Sequence, residues 1–282
     1  MRVQESWVGA ANRLADHGVE VPSLEAEVLV RHVLGIDRAQ FFAALSDGLH
    51  CPDEGEIDRL VGRRLAGEPL AYIQGRREFY GLELVVNPSV LVPRQETETL
   101  VDQVLELSKN MPEQGLRVAD VGTGSGAIAI AIAVNLPRAT LYAIDSSREA
   151  LEVARVNCDN HDVSERVHLR PGDLVDALPC DMDIIVSNPP YIQSGELEHL
   201  AEEVRREPTI ALDGGVDGLR VIRRLFQQAP PLLRPGGKLV VEIAPEQLES
   251  VSALARNTVP AGRVSFRRDL LGLPRAVALS LS

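Results

Sequence analysis

At 282 residues the chain is long enough for one large domain or two smaller ones, and 45% hydrophobic with 25% charged residues predicts a globular protein with a substantial core. A formal net charge of -12 argues against a broad electrostatic footprint for nucleic-acid backbone, so a protein or small-molecule partner is expected and direct nucleic-acid binding is not. Cys51, Cys158 and Cys180 are scattered without CxxC spacing, which points to free thiols and to neither a disulfide framework nor a metal site. The N-terminal stretch carries Arg2, Glu5, Trp7 and Asn12 where a signal segment would be apolar, and no run approaches membrane-spanning length. A cytoplasmic location without a membrane partner is expected.

The first part of the chain predicts short amphipathic helices. Val3, Trp7, Ala11 and Leu14 form one face before Gly18. Ser23, as N-cap, precedes a helix from Leu24 to Leu34 with Glu25 and Glu27 in its first turn and Gly35 as its stop. Further helices are predicted over Arg38 to Leu45 and Asp53 to Ala66. Their charges suit solvated faces and their apolar residues suit one core, so this helical domain, assigned to 1–72, is expected to supply stability or to recognise a protein substrate. Tyr72, Ile73, Phe79, Tyr80 and Leu82 to Val86, bounded by Gly75, Gly81 and Asn87-Pro88, predict a hairpin-like linker over 73–93.

From Thr97 a helix carries Leu100, Val101, Val104 and Leu105. Strands follow at 117–121, 140–144, 166–170, 182–187, 238–243, 263–268 and 275–281, with helices between most of them. That alternation predicts an α/β domain over 94–282, built on a mostly parallel sheet covered on both faces. Only Asp269 to Pro274 separate the last two strands, too few residues for a helical crossover, so these should pair antiparallel.

Two motifs carry the chemistry. Val118 to Val121 leads into Gly122-Thr123-Gly124-Ser125-Gly126 and then into an Ala/Ile-rich helix from Ala127. Glycines allow positive φ and close ligand approach, and small alanines allow tight helix-to-sheet packing. Asp145 closes the next strand about 20 residues on, where a carboxylate can accept from both hydroxyls of a ribose. Gly122, Gly124 and Ala127 also satisfy a dinucleotide fingerprint, so a nicotinamide dehydrogenase is an alternative. No proton-relay histidine supports it, because His161, His168 and His199 lie in polar stretches.

The second motif is Ser187-Asn188-Pro189-Pro190-Tyr191, at the end of the apolar run Met182 to Val186. It groups an amide acceptor, a proline carbonyl and an aromatic face on a stiff turn, since two prolines fix two φ angles and remove two donors. Such a set can grip a planar nitrogen.

Together with Tyr72-Ile73-Gln74-Gly75, Phe79-Tyr80-Gly81, Val90 to Glu98, Glu207-Pro208, Ala211 to Leu219, Leu233 to Ile243 and Asp269 to Arg275, these motifs resemble the HemK/PrmC family. Those are class I methyltransferases that methylate the side-chain amide nitrogen (N5) of a glutamine in peptide-chain release factors. The resemblance spans nearly the whole chain. It implies a Rossmann-like, seven-stranded S-adenosylmethionine methyltransferase domain behind a small helical domain, acting on the Gly-Gly-Gln motif in translation termination. Carried over by motif, Gly122, Thr123, Gly124, Ser125 and Gly126 would cradle the methionine part of S-adenosylmethionine. Asp145 would hold the ribose, Asp173 and Leu174 would flank the adenine, and Asn188 would lie against the cofactor. Asn188 and the Pro189 carbonyl would accept the two N–H groups of the substrate amide, with Pro190 beside them and Tyr191 packed on the amide plane. Asn188, Pro189 and Tyr191 are thus the implied catalytic set. The family usually has proline where this chain has Gln95, a change expected to alter stiffness near a helix start and not chemistry. Arg94, Glu96 and Glu98 suit an ion-paired helix start.

Three alternatives share the second motif: a glutamine methyltransferase of a ribosomal protein, a DNA adenine-N6 methyltransferase, and a cofactor-binding scaffold without activity. An adenine methyltransferase must flip a base and neutralise phosphates, which the acidic balance disfavours.

Overall fold

The computed structural model describes residues 1–109, 111 and 115–281 and divides into two units. The first comprises Met1–Gly75 together with Ala201–Arg206, a short excursion from the later chain. Its helices are α1 (Val3–Asp16), α2 (Pro22–Leu34), α3 (Arg38–Ala43), α4 (Cys51–Leu65) and α5 (Leu70–Gln74). Leu14, Leu29, Val30, Phe41, Ile57 and Leu60 point inward and form its core. One departure from the sequence expectation is the start of α2. Pro22 opens it and Val21 is the N-cap, without a side-chain cap. Proline is preset for the first helical position, so Ser23 falls inside the first turn, where its carbonyl accepts from Trp7 Nε1 at 2.8 Å. Gly35 ends the helix at φ +64°, as expected.

The second unit begins with a hairpin, β1 (Arg76–Phe79) and β2 (Leu82–Val85), followed by α6 (Glu98–Ser108). Then come β3 (Arg117–Val121), α7 (Ala127–Asn135), β4 (Thr140–Asp145), α8 (Arg148–Asn160), β5 (Val167–Pro171) and β6 (Met182–Ser187). After α9 (Glu202–Arg205), which belongs to the first unit, the chain forms α10 (Arg220–Gln228), β7 (Leu233–Glu242), α11 (Leu248–Thr258), β8 (Arg263–Arg268) and β9 (Pro274–Ser280). β7 starts earlier than its apolar run suggested, because Leu233 pairs with Met182 before the register shifts around the Pro235-Gly236-Gly237 stretch.

Seven strands make one sheet in the order β5-β4-β3-β6-β7-β9-β8. All pairs are parallel except those of β9, which runs antiparallel to β7 and β8. The central strands are buried on both faces, which is why they are continuous Val/Ile/Ala runs. α7 is buried from Ala127 through Ala133, and its alternating alanines allow it to lie close to the sheet.

Asn157 on α8 is fully buried and joins two distant segments. Its Oδ1 accepts from Val85 N at 2.7 Å, and its Nδ2 donates to the carbonyls of Val85 and Ser125, each at 2.9 Å. The hairpin is thereby tied to the glycine loop. Gln95, where the family has proline, is exposed at the first position of a 3-10 turn. Arg94 before it has φ -96° and ψ 146°, the extended conformation a residue takes before proline.

Two stability predictions follow from these positions. Asn157→Leu takes the side-chain partner from the Val85 N–H and carbonyl and from the buried Ser125 carbonyl and should lower the unfolding free energy by about 3 kcal/mol in urea titrations; an unchanged midpoint would remove this residue from the frame. Gln95→Pro should raise stability by roughly 0.5 kcal/mol through the unfolded state alone, and a loss would mean the turn needs the Gln95 N–H.

Candidate active site

Register builds the site. Val121 of β3 pairs with Ser187 of β6, so Gly122 and Asn188 are the first residues beyond two matched strand ends. Ser187 Oγ seals the pair by donating to the Val121 carbonyl at 2.7 Å. On the other flank of β3, Val121 pairs with Ile144, which brings Asp145 to the same edge. The Ile144 carbonyl then accepts from Gly122 N at 2.8 Å and Thr123 N at 2.9 Å. Strand order reverses between β3 and β6, and the crevice beyond such a reversal is where open α/β sheets take ligands.

A cleft of about 280 Å³ opens there, and Gly122, Gly124, Asp145, Leu174, Asn188 and Pro189 are among the residues that line it. Gly122 and Gly124 have φ +75° and +55°, and a Cβ on either would meet nothing within 4 Å. Glycine is therefore required by the backbone and not by crowding, and the loop offers bare peptide to the cleft. Asp145 Oδ2 accepts from Gly124 N and Oδ1 from Ser147 N, each at 2.9 Å. The carboxylate is fixed by two backbone donors and keeps lone pairs for ligand hydroxyls. Val90, Leu91, Leu174 and Ile210 supply apolar wall, and Leu174 holds φ +55°, a costly conformation for a branched side chain. An acid for a diol, a bare glycine backbone for a polar tail and apolar walls for a flat ring fit a nucleoside with an amino-acid arm, as in S-adenosylmethionine.

The structure separates the sequence candidates into two groups. Gly122, Gly124, Asp145, Asp173, Leu174, Asn188, Pro189 and Pro190 line the cleft. Asp173 sits there as half of an exposed ion pair, its Oδ2 accepting from Arg224 Nη2 at 2.6 Å. Thr123, Ser125 and Gly126 face inward. Thr123 Oγ1 donates to Asp120 Oδ2 at 2.6 Å, and the Ser125 carbonyl is held by Asn157. A Cβ on Gly126 would lie 3.0 Å from Ile130 Cδ1 of α7 and 3.3 Å from Ala154 Cβ of α8, so that glycine, at φ +83°, serves the close approach of α8 to the start of α7.

Tyr191 also departs from its expected place. Its ring joins the core on the α10–α11 face and lines a neighbouring cavity of about 550 Å³, not the cleft. Its hydroxyl donates to Glu242 Oε1 at 3.3 Å. Burial raises the phenol pKa, and the nearby Glu242 carboxylate raises it further, so the phenol stays protonated. The aromatic face seen in the sequence is a support of the turn.

Several supporting bonds join residues that the sequence shows only as separate segments. Asn188 Nδ2 donates to Thr97 Oγ1 at 3.1 Å, which leaves Oδ1 as the amide's acceptor. Glu207, 4% exposed, accepts from Val92 N at 2.9 Å and pairs with Arg94, joining the Pro-Arg-Gln-Glu segment to the Glu207-Pro208 turn. Glu98 Oε1 accepts from Tyr80 N at 2.8 Å, so this acid also serves structure. Asp120, fully buried, accepts from Thr123 and from Ala129 N at 3.2 Å, stapling the glycine loop onto α7. Among the described residues no group of three or more His, Cys, Asp or Glu could hold a metal ion, and no helix is long and apolar enough to cross a membrane.

A family described as Methyltransferase small domain matches residues 97–212, and one described as PrmC N-terminal domain matches residues 6–75. The chain is 44% identical over 257 residues to the release factor glutamine methyltransferase of Moorella thermoacetica, covering 91% of this chain and 90% of that protein. It is 43% identical over 277 residues to the enzyme of the same name from Neisseria gonorrhoeae, covering 96% and 95%. Among solved structures, the hMettl16 catalytic domain superposes with TM-score 0.59 at 15% identity, covering 85% of this chain and 84% of that one. A methyltransferase from Pyrococcus furiosus superposes with TM-score 0.52 at 20% identity, covering 71% and 89%. Both share the fold.

Burial pushes the Asp120 carboxyl up from 3.8 to about 7. Between those values the folded protein holds a proton that the unfolded chain has lost, so this contribution is full at the acid end and disappears as pH rises toward 7. Urea midpoints should therefore fall from about pH 5 to about pH 7, and Asp120→Asn should flatten that fall. A variant with the wild-type slope would show that Asp120 ionises normally.

Proposed function

The chain belongs to the release factor glutamine methyltransferase family, and from that premise we propose that it methylates the side-chain amide nitrogen of the glutamine in the Gly-Gly-Gln motif of peptide-chain release factors. S-adenosylmethionine, when bound, supplies the electrophilic sulfonium methyl. Gly122 and Gly124 would hold its amino-acid arm, Asp145 would take the ribose hydroxyls, and Leu174 would flank the base.

The amide nitrogen is a poor nucleophile because its lone pair is delocalised into the carbonyl, so the chain's own residues act by placement. Asn188 Oδ1 and the Pro189 carbonyl accept the two N–H bonds of the substrate amide. They turn the nitrogen toward the methyl and take up the positive charge that develops on the N–H groups as the new bond forms. The observation that carries this reading is the Thr97 contact, which engages one N–H of the Asn188 amide, sets its nitrogen toward Thr97 and leaves Oδ1 as the free acceptor. No general base is assigned. The proton leaves after transfer, when the nitrogen has become acidic.

The first unit is read as the part that grips the protein substrate. It matches the PrmC N-terminal domain and exposes Val8, Val21, Leu24 and Phe42, apolar side chains suited to a protein surface. Binding of nucleic acid is not part of the function, in keeping with the net charge of -12.

With isotope-labelled S-adenosylmethionine and purified release factors, mass spectrometry should place the label on the Gly-Gly-Gln glutamine; label confined to a ribosomal protein or to DNA would overturn the assignment. Asn188→Ala should lower the single-turnover rate by about 10² or more while cofactor affinity stays near wild type. A near-normal rate would remove Asn188 from the chemistry.

A further inference from the structure

Glu242 ends β7 one residue beyond Val241, the residue paired with Ser187. It therefore stands at the same edge of the sheet as Asn188, which follows Ser187. It is only 1% exposed, an expensive place for a carboxylate without a bonded cation. Two hydroxyls serve it. Tyr191 Oη donates to Oε1 at 3.3 Å, the buried Oε2 has no hydrogen-bond partner among the described residues, and the Thr97 hydroxyl stands near enough to favour the ionised carboxylate. Thr97 Oγ1 is the atom that accepts from Asn188 Nδ2 at 3.1 Å.

A threonine hydroxyl has one proton to give. An ionised carboxylate can only accept, so the Thr97 proton points at Glu242 and only lone pairs remain for Asn188. The Asn188 amide must then turn its NH₂ inward and its Oδ1 toward the cleft. We propose that Glu242 is a positioning residue for methyl transfer, acting through Thr97 to fix which end of the Asn188 amide faces the substrate nitrogen. This rests on the role given to Asn188 above.

The polarity of the chain is reversible. A protonated Glu242 can donate to Thr97 Oγ1, which frees the Thr97 proton to point at Asn188. The amide then lowers its energy by flipping, and its NH₂ opposes the substrate N–H groups. The charged and titratable groups around Glu242 come from every packed element. Arg275 of β9 favours the ionised form, as do the Thr97 and Tyr191 hydroxyls, while Glu96 in the 3-10 turn before α6 opposes it. Arg94, which acts on Tyr191, is itself paired with Glu207. Arg275 is paired with Asp269 at 3.1 Å, so its charge is shared. Burial outweighs these favourable contacts and raises the Glu242 carboxyl to about 7. The rate constant for transfer should accordingly rise with pH through neutrality.

The test compares Thr97→Val, Thr97→Ser, Glu242→Gln and Asn188→Ala with the wild type in single-turnover methylation of a release factor, alongside cofactor affinity and melting temperature. Thr97→Val, isosteric but without the relay, should lower kcat by about 10² while KM and cofactor affinity stay close to wild type, and Thr97→Ser should restore most of the rate. Glu242→Gln cannot change protonation and should abolish the rise in kcat between about pH 6 and pH 8. A wild-type rate in Thr97→Val, or a wild-type pH profile in Glu242→Gln, overturns the proposal. If Asn188→Ala is itself fully active, the substrate-site reading fails; if it is inactive while the other variants behave as wild type, only the role of Glu242 fails.

Discussion

The parallel pairing of β3, β6 and β7 is the constraint on which the site depends. Val121, Ser187 and Val241 are matched across the three strands, so Gly122, Asn188 and Glu242 emerge side by side at one edge. Neighbouring strands lie about 4.8 Å apart, so this row is set by backbone hydrogen bonds before any side chain chooses a rotamer. A slip of one residue would exchange the faces of a whole strand and bury what should line the cleft. The apolar runs on both sides of the sheet make that slip costly. Positioning chemistry is thus built on the most stable part of the molecule.

Four carboxylates near this edge are treated differently, and the differences suit their tasks. Asp145 is held by backbone N–H groups and remains open to a ligand. Glu207 is paired with Arg94 and braces two loops. Asp120 and Glu242 are buried without a bonded cation, and both are pushed toward neutrality. Asp120 ties down the glycine loop, whereas Glu242 meets the turn that carries Asn188 through the Tyr191 hydroxyl. A nucleophile as weak as an amide needs geometry more than a base, and these acids supply geometry.

Much of the fold was legible because parallel strands covered on both faces leave continuous apolar runs, and because glycine loops and Pro-Pro turns are local features. The seven strands and the antiparallel last pair appear where the sequence placed them, within a few residues. What escaped were relations between distant residues. Asn157 reads as one more polar position on an amphipathic helix until its bonds to Val85 and Ser125 are seen. Glu242 reads as the charged end of a strand, and only the register with β6 reveals its neighbour. Tyr191 sits next to two prolines that line the cleft, yet it lines the neighbouring cavity, a choice made by tertiary packing. The excursion of 201–206 into the first unit is likewise invisible in local pattern; within that unit Glu203 pairs with Arg64 and Arg206 Nη2 donates to the Ala66 carbonyl, each at 2.6 Å.

The proposed chemistry requires the Asn188 amide to present its oxygen to the substrate while Thr97 engages its nitrogen. A crystal structure with S-adenosylhomocysteine and a Gly-Gly-Gln peptide tests this most directly. The glutamine nitrogen should lie about 3 Å from Asn188 Oδ1 and from the Pro189 carbonyl, with Asn188 Nδ2 still on Thr97. A glutamine nitrogen bound away from Asn188, or an Asn188 amide released from Thr97 and turned the other way, would contradict it.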